Sequence, residues 1–161
     1  MLKNRIEFAP MVCDFTNSVG EATQNYIDFV ESQAESGVAL IHLGATPVNW
    51  ENAVDYPSEL DVTDEFKINS LGLLAEAAHR HGAKLSVELV HAGRGVHPNY
   101  LKGEWGLAPS NIPIPGSHQY LKEMDQKDIE GVINNYVDCA ARLDRCGFDG
   151  LLIHGAHGNL I

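Results

Sequence analysis

The stretch Gly147-Phe148-Asp149-Gly150-Leu151-Leu152-Ile153-His154-Gly155-Ala156-His157-Gly158 places two histidines directly behind an apolar run. Residues 150–153 predict a short strand, which follows a long helical segment. In a parallel β/α protein, the side chains just past the carboxyl end of a strand face the ligand site. Two imidazoles three residues apart at such a position can together hold one oxygen or one anion. We therefore expect His154 and His157 to form the centre of an active site.

The pattern that precedes these histidines occurs three times in the chain. An amphipathic segment ends at Gly37, Gly82 or Gly147, and an apolar run follows at 38–43, 83–90 and 148–154. Glycine adopts the left-handed conformation past a helix end at little cost, so it is the expected stop signal. A further apolar run at 6–11 precedes the first helical segment. The order predicted is β-α-β-α-β-α-β, with strands near residues 6, 38, 84 and 148.

Each predicted helix has apolar residues at spacings of three and four, and a polar residue that can cap its first turn. The caps are Thr23 for the first helix, Thr63 or Asp64 for the second, and Asp125 for the third. The predicted buried stripes are Tyr26, Phe29, Val30 and Ala34; Phe66, Leu71, Leu74, Ala75 and Ala78; and Ile129, Val132, Ile133, Tyr136, Val137, Ala140 and Ala141.

Alternation of short apolar strands with helices predicts an α/β protein with a parallel sheet. A doubly wound sheet and a (β/α)8 barrel both have this pattern. No G-x-G-x-x-G follows the first strand, which disfavours a dinucleotide-binding fold. The segments Gly44–Val62 and Gly93–Met124 predict long loops on the carboxyl side, where barrel enzymes place the elements that shape the substrate site. No domain boundary is visible.

The composition excludes several classes of partner. The 161 residues carry a formal net charge of −11, which disfavours nucleic acid and anionic membranes because phosphate binding requires a basic patch. No apolar run approaches the roughly 20 residues of a membrane-spanning helix. Cys13, Cys139 and Cys146 lack metal-ligand spacing and predict free thiols in a reducing compartment. We expect a cytoplasmic protein that acts on a small molecule.

Several short motifs, in this order and spacing, resemble the N-terminal half of an Old Yellow Enzyme family barrel. They are Lys3-Asn4-Arg5-Ile6 leading to Ala9-Pro10-Met11, Gly44-Ala45-Thr46-Pro47-Val48, Glu88-Leu89-Val90-His91-Ala92-Gly93-Arg94, Ala108-Pro109-Ser110, and Gly147-Phe148-Asp149-Gly150 running into the two histidines. The resemblance implies that residues 1–161 supply the first four β/α units of a single flavin-binding TIM (β/α)8 barrel domain. It also implies an oxidoreductase that moves hydride from NADH or NADPH through FMN to an α,β-unsaturated carbonyl.

The resemblance also implies roles for particular residues. The positions that it assigns to the flavin are Pro10, Met11, Val12, Ala45 and Glu88, with Glu88 at the pyrimidine edge of the ring. His154 and His157 match the pair that binds the carbonyl oxygen of the substrate, where hydrogen-bond donors stabilise the enolate formed by hydride transfer.

Three residues depart from the pattern of the family. Val12 stands where a threonine or cysteine usually contacts the flavin, so that hydrogen bond is lost. Glu88 replaces a glutamine and, when ionised, donates no hydrogen bond and repels an anionic flavin. Asn159 stands where most ene-reductases carry the tyrosine that protonates the α-carbon. An amide cannot act as a general acid at neutral pH, so water or another residue must deliver the proton, or the reaction differs.

Three alternatives stay open on the sequence alone. His42, His91, His154 and His157 all follow or end predicted strands and could bind a metal in a barrel hydrolase. A flavin-dependent amine N-demethylase on the same barrel fits Asn159. An inactive truncated half-barrel is the third. His91 and Arg94 fit either a structural brace for their loop or the site itself.

The resemblance covers four of eight units, and this has consequences for assembly. The phosphate site of such barrels lies at the loops after strands seven and eight, so we expect these 161 residues alone to bind FMN weakly. Open strand edges predict a homo-oligomer or association with a complementary half-barrel. Larger relatives can also carry an iron–sulfur cluster in the remaining half.

Overall fold

A computed structural model describes residues 1–96, 98–101, 105–112 and 121–161. Its helices are α1 (Gln24–Glu35), α2 (Ile68–Arg80) and α3 (Gln126–Arg145). Its strands are β1 (Glu7–Phe8), β2 (Leu40–Pro47), β3 (Lys84–Val90), β4 (Gly106–Ala108), β5 (Leu121–Glu123) and β6 (Gly150–Ile153). Within these residues, no helix has both the length and the apolar character that crossing a bilayer requires.

The main sheet has the order β1-β2-β3-β6, and all of its neighbouring strands are parallel. The four strands predicted near residues 6, 38, 84 and 148 are therefore neighbours in chain order. A doubly wound sheet reverses its strand order at one point, whereas a barrel wall does not. Glu88 is in register with Leu152, which brings the carboxyl ends of β3 and β6 to the same edge.

The second strand is longer than the sequence predicts, because it continues through Gly44 to Pro47 instead of ending at Leu43. Its pairing with β3 shifts between Leu43 and Thr46, as at a β-bulge. Ala45 within this irregularity has a φ of 36°. The sequence predicts a loop from Gly44 onward, but β2 pairs with β3 again from Thr46, beyond the bulge.

The first strand is shorter than the predicted run of 6–11, and the chain leaves the sheet after Phe8. Residues 10–12 then pass directly over Gly44, where an added Cβ would lie 2.3 Å from the backbone nitrogen of Met11. Only glycine permits so close an approach, so position 44 fixes the path of the segment that follows β1.

The core lies between the sheet and the helices. Val30 of α1 and Leu71 and Leu74 of α2 are fully buried against Ile41 and Leu85 of the sheet. The second helical segment begins with a 3-10 turn, Glu65–Lys67, capped by the Asp64 side chain. This turn leaves Phe66 94% exposed, so its predicted place on the buried stripe is wrong.

The third helix begins as predicted at Asp125, which forms a reciprocal capping box with Asp128. Its apolar stripe is only partly buried, however, and Ile133 and Val137 are 56% and 60% exposed. An apolar groove of about 360 Å³ runs along this stripe. It is lined by Met124, Ile129, Val132, Ile133, Tyr136, Val137, Ile153, Leu160 and Ile161.

Uncovered apolar surface also follows the outer strands. In the described part of the chain, β1 pairs only with β2, and β6 pairs only with β3. Leu151, Leu152 and Ile153 of β6 are all exposed. These features agree with the open edges that the sequence predicts for four units of a barrel.

The long segment between β3 and α3 is not simply extended. Its described residues include the 3-10 turns Gly93–Gly95 and Pro98–Tyr100 and the short strands β4 and β5, which pair in parallel. Pro113 and Pro115 of the predicted loop lie outside the described residues.

The exposed stripe of α3 generates a prediction about association. Residues 1–161 expressed by themselves should form dimers or larger species, because burying the apolar groove removes its surface from water. Ile133→Lys should shift the population toward monomer, whereas Phe66→Lys, which changes an exposed apolar residue elsewhere, should not. Size-exclusion chromatography with light scattering measures this. A monomeric unsubstituted chain would contradict the prediction.

Candidate active site

A cavity of about 470 Å³ lies at the carboxyl edge of the main sheet. This volume is within the roughly 300–1,000 Å³ typical of small-molecule sites. It is lined by Pro10, Val12, Ala45, Asp55, Tyr56, Glu88, Val90, Gly95, Leu152, His154, His157 and Asn159. Alternation along β3 places Glu88 and Val90 on the same face of the sheet. Leu152 of β6 and His154, two residues further on, lie on that face as well.

Six of the seven site residues predicted from the sequence line this one cavity. The exception is Met11, whose backbone packs on Gly44 while its side chain is exposed. Pro10 and Val12, on either side of it, do line the cavity. The Met11 side chain therefore does not contribute to this lining.

Glu88, His154 and His157 form a continuous hydrogen-bonded chain. His154 Nδ1 lies 2.6 Å from Glu88 Oε1, and His154 Nε2 lies 3.1 Å from His157 Nδ1. The second carboxylate oxygen of Glu88 accepts a long bond of 3.4 Å from the backbone N–H of Ala45. The side chains of Glu88 and His154 are only 12% and 15% exposed, so little solvent reaches the hydrogen bond between them.

A tight turn after β6 brings His157 back onto His154. His157 and Gly158 have φ values of 57° and 76°, both in the left-handed region. Such a conformation in a non-glycine residue is strained, and strain of this kind is concentrated at functional sites. The turn places the two imidazole centroids 5.0 Å apart at an angle of 43°.

His91 and Arg94 hold this turn from the end of β3. The carbonyl of His91 accepts a hydrogen bond from Leu160 N–H, and Arg94 Nε donates to the carbonyl of Gly158 over 3.2 Å. The His91 ring is buried, and burial lowers its pKa to about 4, so it is neutral. Its Nδ1 accepts from Gly93 N–H at 3.1 Å. Of the two roles left open by the sequence, these contacts support the structural brace.

Asp55 and Tyr56, which belong to the predicted loop Gly44–Val62, also line the cavity. Burial raises the pKa of Asp55, and the nearby His154 opposes that shift. The backbone N–H groups of Asp55 and Tyr56 both donate to Glu59 Oε2, at 3.1 and 3.4 Å. No sequence motif identifies Asp55 and Tyr56 as site residues. Their backbone is held by Glu59, and this contact is visible only in the folded chain.

Glu59 itself is 2% exposed and lies beneath this loop. Among the described residues its Oε1 has no hydrogen-bond partner. Burial raises the pKa of the carboxyl to about 8, an effect only partly offset by the two backbone donors. The side chain is therefore protonated over much of the neutral range.

The structure does not bring together the four histidines of the metal alternative, since His42 and His91 are not in the lining that His154 and His157 share. His42 is the third residue of β2 and does not lie at its carboxyl end, so that part of the sequence argument is wrong. Its Nε2 lies 3.7 Å from a Glu7 carboxylate oxygen, outside the cavity. Over the part of the chain that the structure describes, no three or more His, Cys, Asp or Glu side chains are grouped to hold a metal ion.

A family model described as NADH:flavin oxidoreductase / NADH oxidase matches residues 1–161. The chain belongs to this family. NADH oxidase from Thermoanaerobacter brockii is 34% identical over 161 residues, which are 100% of this chain and 25% of the relative. NADPH dehydrogenases from Listeria and Geobacillus are 34% to 36% identical, and 46% of their length is covered. The chain therefore spans a quarter to about half of these relatives.

Two solved structures of similar proteins support the same fold. Old Yellow Enzyme from Pichia sp. AKU4542 has a TM-score of 0.89 at 26% identity, with 99% of this chain and 44% of that chain covered. Histamine dehydrogenase from Rhizobium sp. 4-9 has a TM-score of 0.87 at 25% identity, with 99% and 23% covered. The fold is that of a partial TIM barrel, as the resemblance predicts.

The cavity suits the flavin that the description of the family names. Pro10, Val12 and Ala45 form an apolar wall of small side chains, against which a flat ring can stack. Glu88 and His154 add polar groups to the lining of the same cavity, and Glu88 lies against the backbone N–H of Ala45. Such a combination of apolar walls and a few convergent polar groups is typical of cofactor sites.

Glu59 generates a prediction about stability. The folded chain holds a proton on Glu59 up to about pH 8, whereas the unfolded chain releases it near the ordinary value of 4.5. The free energy of unfolding should therefore fall as the pH rises through this window. Glu59→Gln should remove this decrease. At the alkaline end of the window it should raise the free energy of unfolding by about 2 kcal/mol relative to the unsubstituted protein.

Urea denaturation at both ends of this pH window measures the effect. Glu51→Gln, which changes an exposed carboxylate in the same loop, is the matched control and should follow the unsubstituted protein. If the free energy of unfolding of Glu59→Gln changed with pH as much as that of the unsubstituted protein, the assignment of a buried, protonated Glu59 would be wrong.

Proposed function

We propose that the protein containing these residues is an FMN-dependent oxidoreductase that consumes NADH or NADPH and reduces an alkene conjugated to a carbonyl group. The observation that carries this proposal is the position of His154 and His157 beside the apolar wall of Pro10, Val12 and Ala45 in one cavity. A hydride source on that wall and an oxygen ligand at the histidines would lie within one substrate length of each other.

The proposed roles toward the flavin follow from this wall. Pro10 and Val12 would lie along the ring, and Ala45 would approach it with its backbone, where a larger side chain would collide. A flavin held by these residues would supply the hydride-transfer chemistry between the nicotinamide and the substrate. Val12 can pack against the ring but offers no hydrogen bond. The surroundings of the redox-active edge of the flavin would therefore be less polar than with a threonine or cysteine at this position.

The proposed role of the histidine pair is to bind and polarise the carbonyl oxygen. Negative charge develops on that oxygen when hydride reaches the β-carbon. A donor already aimed at the developing charge is worth about 3 kcal/mol of barrier. The strained turn at His157 and the brace by Arg94 hold the pair in place before the substrate arrives, so no reorganisation is needed during the reaction.

Asn159 supports a second candidate, the oxidation of a methylated amine. It lines the cavity beside the histidines, yet its amide cannot protonate a carbon. An oxidative reaction needs no such acid. The similarity in fold to histamine dehydrogenase, a protein whose name indicates amine oxidation, also favours this candidate.

The three cysteines are unpaired in the structure. Free thiols fit a reducing compartment, which supports the proposal of a cytoplasmic location. Residues 1–161 would form part of a single barrel domain, and the exposed stripe of α3 would be covered by further β/α units or by a second chain.

The substrate class can be tested with the flavin-loaded protein on a panel of enones and a panel of methylated amines. We expect turnover of enones with NADH or NADPH. His157→Ala should reduce that turnover at least about tenfold, because one oxygen ligand is lost. Asn159→Tyr should increase it, because the phenol supplies the missing acid.

The two candidates give opposite outcomes in this experiment. Amine turnover with no enone reduction, and no gain in the Asn159→Tyr variant, would replace the first candidate by the second. No reaction with either panel, or unchanged enone turnover in His157→Ala, would contradict the proposed role of the cavity.

A further inference from the structure

The carboxylate of Glu88 is directed at His154 and not left free at the cavity wall. The 2.6 Å separation of His154 Nδ1 and Glu88 Oε1 is in the range of a charge-assisted hydrogen bond. The other carboxylate oxygen makes only the long contact with Ala45 N–H. Both of these contacts therefore lie within the chain itself.

The direction of each hydrogen bond follows from a count of protons. An ionised Glu88 accepts only, so His154 Nδ1 must carry a hydrogen. If both imidazoles are neutral, His154 Nε2 is a lone pair and accepts from His157 Nδ1–H. The remaining nitrogen, His157 Nε2, is then also a lone pair. A neutral pair in this arrangement presents an acceptor, which repels an oxyanion.

One additional proton reverses this situation. His154 then carries hydrogens on both nitrogens and donates through Nε2 to His157 Nδ1. The remaining His157 Nε2–H becomes a donor. The added positive charge lies on the ring that contacts Glu88, and the carboxylate compensates it in a site with little water.

We propose that Glu88 is a positioning residue for the histidine pair: it fixes the proton on His154 Nδ1 and stabilises a pair that carries one positive charge and selects an anionic oxygen. This inference rests on the proposed function, in which such an oxygen develops in the cavity. Glu88 thereby acts on the substrate through His154, and its role is not that of a ligand for the edge of the flavin.

The other charged and titratable groups around the pair act in opposing directions. Asp55 and Tyr56, from the loop after β2, line the same cavity, and a carboxylate at Asp55 also favours positive charge on His154. The positive charge of Arg94, which donates to the carbonyl of Gly158 in the same turn, opposes it. Glu88 is the carboxylate that the structure places in direct contact with an imidazole of the pair.

The positions of the protons can be measured by nitrogen-15 NMR of the histidine rings, with and without FMN. We expect a hydrogen on His154 Nδ1 in the unsubstituted protein and a far-downfield proton signal from its short bond to Glu88. Glu88→Gln keeps the shape of the side chain and should remove both the positive charge of the pair and that signal. Glu7→Gln, at the carboxylate nearest His42, is the matched control and should change neither.

The selection of an anionic oxygen can be measured with two ligands of similar size, 4-hydroxybenzaldehyde, which ionises readily, and benzaldehyde, which cannot. Glu88→Gln should weaken binding of the first about tenfold, as expected for the loss of one charge-assisted contact, and change the second little. The affinity for FMN should stay within about twofold.

Three results would overturn the proposal. The first is an unprotonated Nδ1 on His154 in the unsubstituted protein, which needs no variant to observe. The second is equal weakening of both aldehydes in Glu88→Gln. The third is a loss of FMN affinity with unchanged ligand selection, which would return Glu88 to the edge of the flavin. Absence of FMN binding with the expected NMR result would contradict the proposed function alone.

Discussion

The close approach at Gly44 is the constraint on which the site depends. A side chain at this position would meet the backbone of Met11, so glycine alone lets residues 10–12 lie against the end of β2. The same irregularity turns Ala45 toward the cavity and its N–H toward Glu88. Glu88 in turn contacts His154, and His154 contacts His157. One backbone contact therefore aligns the apolar wall with the polar chain across three strands.

The site also stores conformational strain and unfavourable burial. Ala45 and His157 both have positive φ, which costs a non-glycine residue of the order of 1 kcal/mol. Glu59 is buried beneath the loop that carries Asp55 and Tyr56. The compact core of α1, α2 and the sheet offsets these costs. Features that locally destabilise the fold are expected where a cavity must be held open in a fixed shape.

Much of the architecture could be predicted from the sequence because its signals are local. Glycines after helices, caps such as Asp125 and the apolar runs identified the four main strands and the three helices. The histidine pair was recognisable because its spacing follows a strand end directly. The other features depend on contacts distant in sequence. The continuation of β2 beyond Gly44, the exposure of Ile133 and the reach of Tyr56 into the cavity each require the neighbouring element to be in place.

The most direct test of this account is an FMN titration of the whole protein, followed by flavin fluorescence, in the unsubstituted form and in Gly44→Ala. The account predicts saturable binding by the first and at least about tenfold weaker binding by the second, because the added methyl group displaces residues 10–12. Gly131→Ala, in an open position on α3, is the control and should bind normally. Equal FMN affinity in Gly44→Ala, or no FMN binding by the unsubstituted protein, would contradict it.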